Sequence, residues 1–347
     1  MMASVIEPEQ VRAADSARVD RYGLLQAGLW SLRAGPALIL LLLIVVVGLT
    51  TPVFLTSRNI GNVFSQTSVI AVLALGQLLV IVTRGIDLSV GATVALSGVV
   101  GAIVYEDTSS SALTVVAILA TGLGVGAVNG LVFVYGRVPH PFIVTLATLS
   151  IVRGIALWAS DGTLISGMPP IVQTIGGGSI RWVPYSIFVV AALAILCLVL
   201  TTRMVWGRWL YAVGGNEEAA RRASIPTRRV LVTVYVLSGL AAGVGGLLTA
   251  GLIDGGSPTA GELAELDSIA AVIIGGAAFA GGRGSVGNAL VGAFTIGVIR
   301  NALNLHNVDA FYQLMAIGVV VLLAVEADVL RRSIESRVQV ARAVRQG

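Results

Sequence analysis

The chain has no lysine, because all 22 of its basic residues are arginine. A phosphate-binding P-loop needs a lysine, and Schiff-base chemistry needs a lysine amine. The chain therefore hydrolyses no nucleotide through a P-loop of its own, and we expect it to bind no cofactor. Its only cysteine, Cys197, allows neither a disulfide nor a cysteine metal site within one chain. The two histidines, His140 and His306, are far apart in sequence and are interpreted as interfacial residues.

Charged residues are also scarce. They make up 12% of the 347 residues, whereas hydrophobic residues make up 56% and the mean hydropathy is +0.92. A soluble domain carries about 25% charged residues. A span needs roughly 20 apolar residues, and about ten candidates can be marked, of which the eighth and ninth are short enough to be broken or half-length helices. The candidates are 35–54, 62–82, 88–105, 112–135, 141–159, 184–202, 230–252, 268–281, 285–302 and 308–325.

These features predict an all-α polytopic membrane protein with about ten transmembrane helices, some of them short or broken. An excess of arginine marks the cytoplasmic side. If the N-terminus lies inside, eighteen arginines are cytoplasmic and only Arg58 and Arg181 are outside. Both termini are therefore predicted to be cytoplasmic. The predicted domains are an N-terminal tail (1–34), a transmembrane domain (35–325) with a cytoplasmic loop at 203–229, and a C-terminal tail (326–347).

A charged stretch, GGNEEAARRASIPTRR, interrupts the apolar sequence within that loop. Asn216 is a good N-cap, and the acids Glu217 and Glu218 follow in the first turn, where the helix dipole favours anions. Two arginines occupy the last turn, and Pro226 ends the helix. Such a helix of about two turns is too short to be stable alone in water, so it must pack against something.

Two interpretations of this helix remain open. It can lie on the membrane surface with its arginines extended to the interface, or it can dock a cytoplasmic partner. In the second case Ala219 and Ala220 would let the partner's backbone approach closely, and the flanking charges would set the register.

The stretch GRWLYAVGGNEEAARRASI resembles the cytoplasmic coupling segment of bacterial ABC transporter permeases of the simple-sugar type, the ribose/xylose/autoinducer-2 importers. That segment usually reads G-x-N-x-x-A-A-R-x-S-G-I. Ser224 stands where the family has its turn glycine. The residues that match are Gly214, Asn216, Ala219, Ala220, Arg221 and Ile225.

Three further stretches extend the resemblance over most of the chain. GQLLVIVTRGIDLSVGATVALSG (76–98) is similar to the family's G-G-I-D-L-S-V-G signature, with Arg84 in place of the first glycine. HPFIVTLATLSIVRGIAL (140–157) is similar to its fifth-span region. GGRGSVGNALVGAFTIGVIRNALNL (281–305) resembles a glycine-rich run in which Asn288 replaces a glycine, a change that asparagine's tolerance of left-handed backbone would allow.

The resemblance implies a permease subunit of an ATP-driven importer that moves a monosaccharide or similar small polar solute into the cytoplasm by alternating access. It implies cytoplasmic ABC ATPase subunits that carry ATP and magnesium, a second permease copy or a homologous permease, and an extracytoplasmic sugar-binding protein facing the outer loop 254–268. The chain itself would not be an enzyme, would bind no nucleic acid, and would lie in the bacterial inner membrane. The residues implied at the ATPase interface are Asn216, Glu217, Glu218, Ala219, Ala220, Arg221, Arg222, Ser224 and Ile225.

Polar residues inside a membrane are costly and are therefore functional candidates. Asp87 can start the third span, or it can act as a gate or pair with Arg283. Neutral donors and acceptors suit a sugar, although hydrogen bonds between helices would explain each of them equally well. The candidates for the pathway or gate are Gln66, Gln77, Asp87, Ser89, Asn129, Thr145, Arg153, Asn301 and Asn304.

Two other function classes fit the sequence less well. A proton- or sodium-coupled secondary transporter of a small polar solute needs a carboxylate or cation site within the membrane. Asp87 is the only acid that the predicted spans place near an interior, and it lies at a span end, which disfavours this class. An intramembrane enzyme would need a Ser/His or paired-acid constellation, and the spans contain none.

Overall fold

The computed structural model describes residues 35–326 and Val329, so the predicted tails fall almost wholly outside the described residues. The helices, in chain order, are α1 (Gly35–Thr50), α2 (Ser57–Val82), α3 (Val90–Thr108), α4 (Ser111–Tyr135), α5 (Pro141–Ala159), α6 (Pro170–Gly177), α7 (Tyr185–Thr202), α8 (Val205–Gly215), α9 (Glu217–Arg222), α10 (Thr227–Ile253), α11 (Ala264–Ile274), α12 (Val286–Leu305) and α13 (Ala310–Glu326).

Seven of the described helices are long and apolar enough to cross a membrane: α2, α3, α4, α5, α7, α10 and α12. The helices α1 and α13 are apolar but shorter. The predicted eighth span is indeed half-length, because α11 has only 11 residues and is about 16 Å long. The predicted ninth span is not broken, since α12 has 20 residues. The polytopic helical class is therefore confirmed.

Four two-residue strands add to the helical bundle. β1 (Ile165–Ser166) pairs antiparallel with β4 (Gly255–Gly256), and β2 (Ser179–Ile180) pairs with β3 (Val183–Pro184). The first pair ties the connection after α5 to the segment after α10. These strands are small departures from the predicted all-α class.

Small residues bring α4 and α10 into close contact. A Cβ atom at Gly126 would lie 2.3 Å from the carbonyl oxygen of Tyr235, and one at Gly122 would lie 2.3 Å from that of Gly239. The two backbones therefore touch. Close packing at small residues is expected between helices in lipid, because no hydrophobic driving force holds them together there. This contact shows that α4 and α10 run antiparallel.

Two segments return into the bundle and set where two helices begin. Residues 83–89 follow α2 and reach the middle of α10, where α3 starts. Residues 254–263 follow α10 from its other end, and there Gly261 lies against the first turns of α3. We call these segments the first break and the second break. Because α3 and α11 both begin near the middle of the bundle, their N-termini meet there.

The second break corrects one expectation. The stretch 254–268 was predicted to be an outer loop facing a partner, but most of it lies inside the fold. Gly255 and Gly256 are buried in the strand pair, and Gly256 packs on the backbone of Gly98. Glu265 and Asp267 are 8% and 4% exposed. The β1–β4 pairing and the bond from the Gly167 N–H to the Asp254 carbonyl supply backbone partners for the buried strand residues.

Candidate functional site

The charged helix α9 has the caps that the sequence predicts. Asn216 is its N-cap, and the Asn216 Oδ1 accepts a hydrogen bond from the backbone N–H of Ala219 at 3.0 Å. The acids lie in the first turn and the arginines in the last, and Glu218 pairs with Arg222 on the exposed surface. The predicted helix and its ends are therefore confirmed.

The two alanines of α9 have different environments, which corrects their shared interpretation. Ala220 is 4% exposed and packs into the core, whereas Ala219 is exposed. A partner's backbone can therefore approach Ala219 but not Ala220. Ala220 instead holds α9 against the bundle, together with half-buried Ile225, whose N–H donates to the Ala220 carbonyl at 3.1 Å.

The end of α8 is fixed to the first break through Arg84. The Nε of Arg84 donates to the carbonyl oxygen of Gly214 at 2.8 Å, and a second guanidinium nitrogen donates to that of Gly215. Arg84 belongs to the segment that leads into α3. Arg84 therefore links the α8–α9 junction to the segment that precedes α3.

The same junction contacts the connection between α11 and α12. The N–H of Gly282 donates to the carbonyl of Val82 at 2.8 Å, and a Cβ at Gly214 would lie only 1.8 Å from that carbonyl oxygen. The Tyr211 hydroxyl donates to the Gly284 carbonyl at 2.9 Å. Burial raises the pKa of Tyr211 above its usual value, because it disfavours the charged phenolate. These contacts join the α8–α9 unit to the first break and to the connection between α11 and α12.

Two positions where the resembled family has glycine adopt glycine-like backbone. Arg84 has φ 66° and Ser224 has φ 61°, both in the left-handed region. The turn after α9 therefore keeps its geometry although its glycine is missing. Asn288 does not follow this pattern, because it lies in regular helix within α12, and the explanation from left-handed tolerance is wrong there.

Asp87 organises the first break. Its Oδ1 accepts from the N–H of Ser89 at 3.0 Å and from the Ser89 hydroxyl at 2.6 Å, while its Oδ2 accepts from Ser238 at 2.9 Å. Ser89, not Asp87, is the N-cap of α3, and it makes no side-chain capping bond. Asp87 therefore stabilises the turn before the helix. A pair between Asp87 and Arg283 stays a prediction.

Three more predicted pathway residues converge on the same segment. Asn129 Nδ2 donates to the Ser89 hydroxyl at 2.8 Å, and the Thr145 hydroxyl donates to the carbonyl of Ile86 at 3.1 Å. The Gln77 amide lies 3.2 Å from both the N–H and the carbonyl of Asp87, in the orientation that bonds to each. All these side chains are buried, so in this conformation they hold the break, and their role in a pathway stays a prediction.

The remaining predicted residues are spread over the bundle. Arg153 reaches the second break, where it donates to the carbonyls of Pro258 at 2.6 Å and Ala260 at 2.9 Å. Asn301 exchanges two hydrogen bonds with Asn59, at 2.9 and 3.0 Å. Asn304 accepts from Gln313 at 2.8 Å, and Gln66 is exposed on α2.

Sequence reasoning missed three buried residues and the half-buried Arg300. Ser238 completes the first break, and Glu265 packs against Gly91 at the second. Asp267 and Arg300 form an ion pair at 2.6 Å. Arg300 was the one available signal, as a charge at the end of a predicted span. Within residues 35–326, no group of three or more His, Cys, Asp or Glu side chains could hold a metal ion.

Comparison with known proteins identifies the family of this bundle. The family described as the permease component of branched-chain amino acid transport systems matches residues 59–325. This chain belongs to that family. It is therefore a multi-pass membrane permease, a transport subunit of an ABC importer rather than an enzyme.

Several proteins similar to this permease are named for the sugars they transport. It is 37% identical over 303 residues to the ribose import permease protein of Escherichia coli, covering 86% of this chain and 94% of the relative. The ribose import permease protein of Bacillus subtilis is 38% identical over 298 residues (85% and 92%). An L-arabinose ABC transporter permease protein from Azospirillum brasilense is 33% identical over 334 residues (96% and 98%). No solved structure matches the permease.

Proposed function

We propose that this permease carries a monosaccharide into the bacterial cytoplasm, driven by ATPase subunits that dock on α9. The observation that carries the substrate class is the similarity to permeases named for ribose, D-allose and L-arabinose, at 33–38% identity over most of the chain. The neutral hydrogen-bonding groups at the first break suit a polyol.

The coupling route follows from the contacts of the α8–α9 unit. An ATPase that pushes on α9 displaces Gly214, which is bonded to Arg84 in the first break and packed on Val82 and Gly282. The first break and the connection between α11 and α12 would then shift together. Alternating access requires such a discrete change of two elements that meet in the middle of the membrane.

The topology and partners complete the proposal. Ten membrane helices, α1 to α5, α7 and α10 to α13, place both ends of the chain in the cytoplasm together with α9. Two permease copies, or one copy and a homologue, form the pathway, and an extracytoplasmic sugar-binding protein delivers the substrate in the inner membrane of the cell. The residues proposed for the pathway are those of the first break, with Arg153 at the second.

The buried acids are the one feature of the described structure that favours a secondary transporter. Glu265 and Asp267 join Asp87 as carboxylates inside the bundle, which the spans predicted from the sequence did not include. Asp267 is paired with Arg300, and Asp87 is hydrogen-bonded by two serines, so two of the three have a structural partner, whereas Glu265 Oε2 has no hydrogen-bond partner among the described residues. Family membership favours the ATP-driven mechanism over this alternative.

Transport in proteoliposomes tests the proposal. The permease is reconstituted with its ATPase and binding protein, and the uptake of labelled ribose, allose and arabinose is measured. We expect uptake of at least one sugar that requires ATP and continues in the presence of an uncoupler. Uptake that stops with the uncoupler and ignores ATP would instead establish the secondary transporter.

The docking surface is tested with Ala219→Arg. This side chain is exposed on α9, so the variant should fold normally and lose ATPase association, measured by co-purification. Ala112→Arg is the matched control, because Ala112 is also exposed but lies at the other end of the bundle. Equal ATPase binding by both variants would remove α9 from the interface.

A further inference from the structure

A cavity of about 640 Å³ lies beside α9, between the end of α4 and the start of α10. Its lining contains four arginines against one acid, Glu217. Its volume lies in the range of small-molecule sites, about 300–1,000 Å³. The arginines are Arg137, Arg221, Arg228 and Arg229.

The positions of these arginines favour the binding of an anion. Arg228 and Arg229 stand in the first turn of the 27-residue helix α10, where the helix dipole favours negative charge. That turn has no acidic residue and no side-chain cap. Arg137 approaches from the α4–α5 connection with φ 55°, in the left-handed region. Like charges gathered at the positive end of a helix are stabilised by a bound anion.

Most of the other lining residues are apolar, and several of them come from the ends of two membrane spans. Phe133 and Tyr135 belong to the last turns of α4, Leu231 belongs to α10, and Val138 follows α4. Tyr135 is 57% exposed at the end of α4, and tyrosine is enriched at membrane–water interfaces. A small inorganic anion has no apolar surface to bury against these residues, whereas a phospholipid presents a phosphate and an apolar glyceride together.

We propose that this cavity binds the phosphate of an anionic phospholipid headgroup from the cytoplasmic leaflet. Basic pockets between membrane helices on the cytoplasmic side bind such headgroups, and each arginine strengthens the attraction. The assignment uses the proposed orientation of the bundle, with α9 in the cytoplasm, but it does not depend on the transported substrate or on ATP. A lipid bound here fixes the position of α9 relative to α4.

The test measures lipid binding by the full-length permease in neutral detergent. Native mass spectrometry during a titration with dioleoylphosphatidylglycerol gives the affinity of the first lipid, with dioleoylphosphatidylcholine as the neutral comparison. The triple variant Arg137→Gln, Arg228→Gln, Arg229→Gln should bind phosphatidylglycerol about a hundredfold more weakly, since each arginine contributes roughly fivefold. If the triple variant does not fold, the single variant Arg228→Gln should show the fivefold loss.

The control removes the same charge elsewhere on the same side. Arg203→Gln, Arg208→Gln and Arg222→Gln together leave the cavity lining unchanged and should retain wild-type affinity. An equal loss in this control would mean a general surface charge effect and would overturn the site. Displacement of the lipid by millimolar inorganic phosphate would assign the cavity to a free anion, and displacement by the ATPase would assign it to that partner; either result overturns the lipid proposal.

Discussion

The first and second breaks both return the chain to the middle of the bundle, but their polar groups are satisfied differently. At the first break, both oxygens of Asp87 accept hydrogen bonds from serines. At the second, Glu265 Oε2 and Asp267 Oδ1 are buried without a hydrogen-bond partner in the described structure. An unsatisfied buried polar group costs about 1–3 kcal/mol. The first break also has buried atoms without a partner, but they are the neutral Asn129 Oδ1 and Tyr235 hydroxyl. Those at the second belong to carboxylates, whose burial without a partner costs more, so the larger unfavourable free energy lies at the second break.

Removing the carboxylate of the first break should have the largest effect. Asp87→Ala leaves the Ser89 and Ser238 hydroxyls buried without their acceptor, and we expect it to destabilise the fold by about 3 kcal/mol. Thermal unfolding of the purified permease measures the loss. Asp87→Asn keeps an oxygen for Ser89 and should lose clearly less, so equal losses would show that hydrogen bonding does not explain the role of Asp87.

Crowding the contact between the starts of α3 and α11 should have an intermediate effect. A Cβ at Gly91 would lie 2.2 Å from Glu265 Oε2 and 2.3 Å from the Gly261 carbonyl oxygen. Gly91→Ala should therefore cost about 2 kcal/mol through overpacking, and it should also reduce the transport rate. Gly98→Ala is the control on the same helix, because its nearest contact would be an ordinary 3.6 Å. If both variants behave alike, the close approach of the two breaks is not what matters.

Neutralising Glu265, which lies beside the second break at the start of α11, should change stability least. Glu265→Gln removes a buried charge whose Oε2 has no partner, so the unfolding temperature should stay level or rise, by the equivalent of about 1 kcal/mol. Transport, measured in proteoliposomes, should nevertheless fall, because the unfavourable free energy available for switching is reduced. A large loss of stability with unchanged transport would reverse the comparison between the breaks.

Local rules account for what could be predicted. The limits and caps of α9 follow from Asn216, the acids after it and Pro226, because capping acts over about four residues. The positive φ values of Arg84 and Ser224 could be suspected only from the resemblance, through the glycines missing from its motifs. Composition and hydropathy were enough for the polytopic class.

Long-range contacts account for what could not be predicted. The burial of Glu265 and Asp267 depends on the pairing of β4 with β1, which joins residues about ninety positions apart. Nothing local in 254–268 marks that return, since its glycines and acids are typical of an exposed loop. The inward side of Ala220 likewise depends on the bundle beneath α9 and not on its own sequence.

Part of the joint between α8 and the bundle is direct backbone contact, beside the side-chain bonds of Arg84 and Tyr211. Gly214 has no side chain, it packs on the carbonyl of Val82, and Gly282 bonds to the same carbonyl. Side chains can absorb a small displacement by changing rotamer, but backbone in direct contact has no such slack. If α9 is displaced, this contact has little room to absorb the movement, and any side chain added at Gly214 would clash with the Val82 carbonyl oxygen.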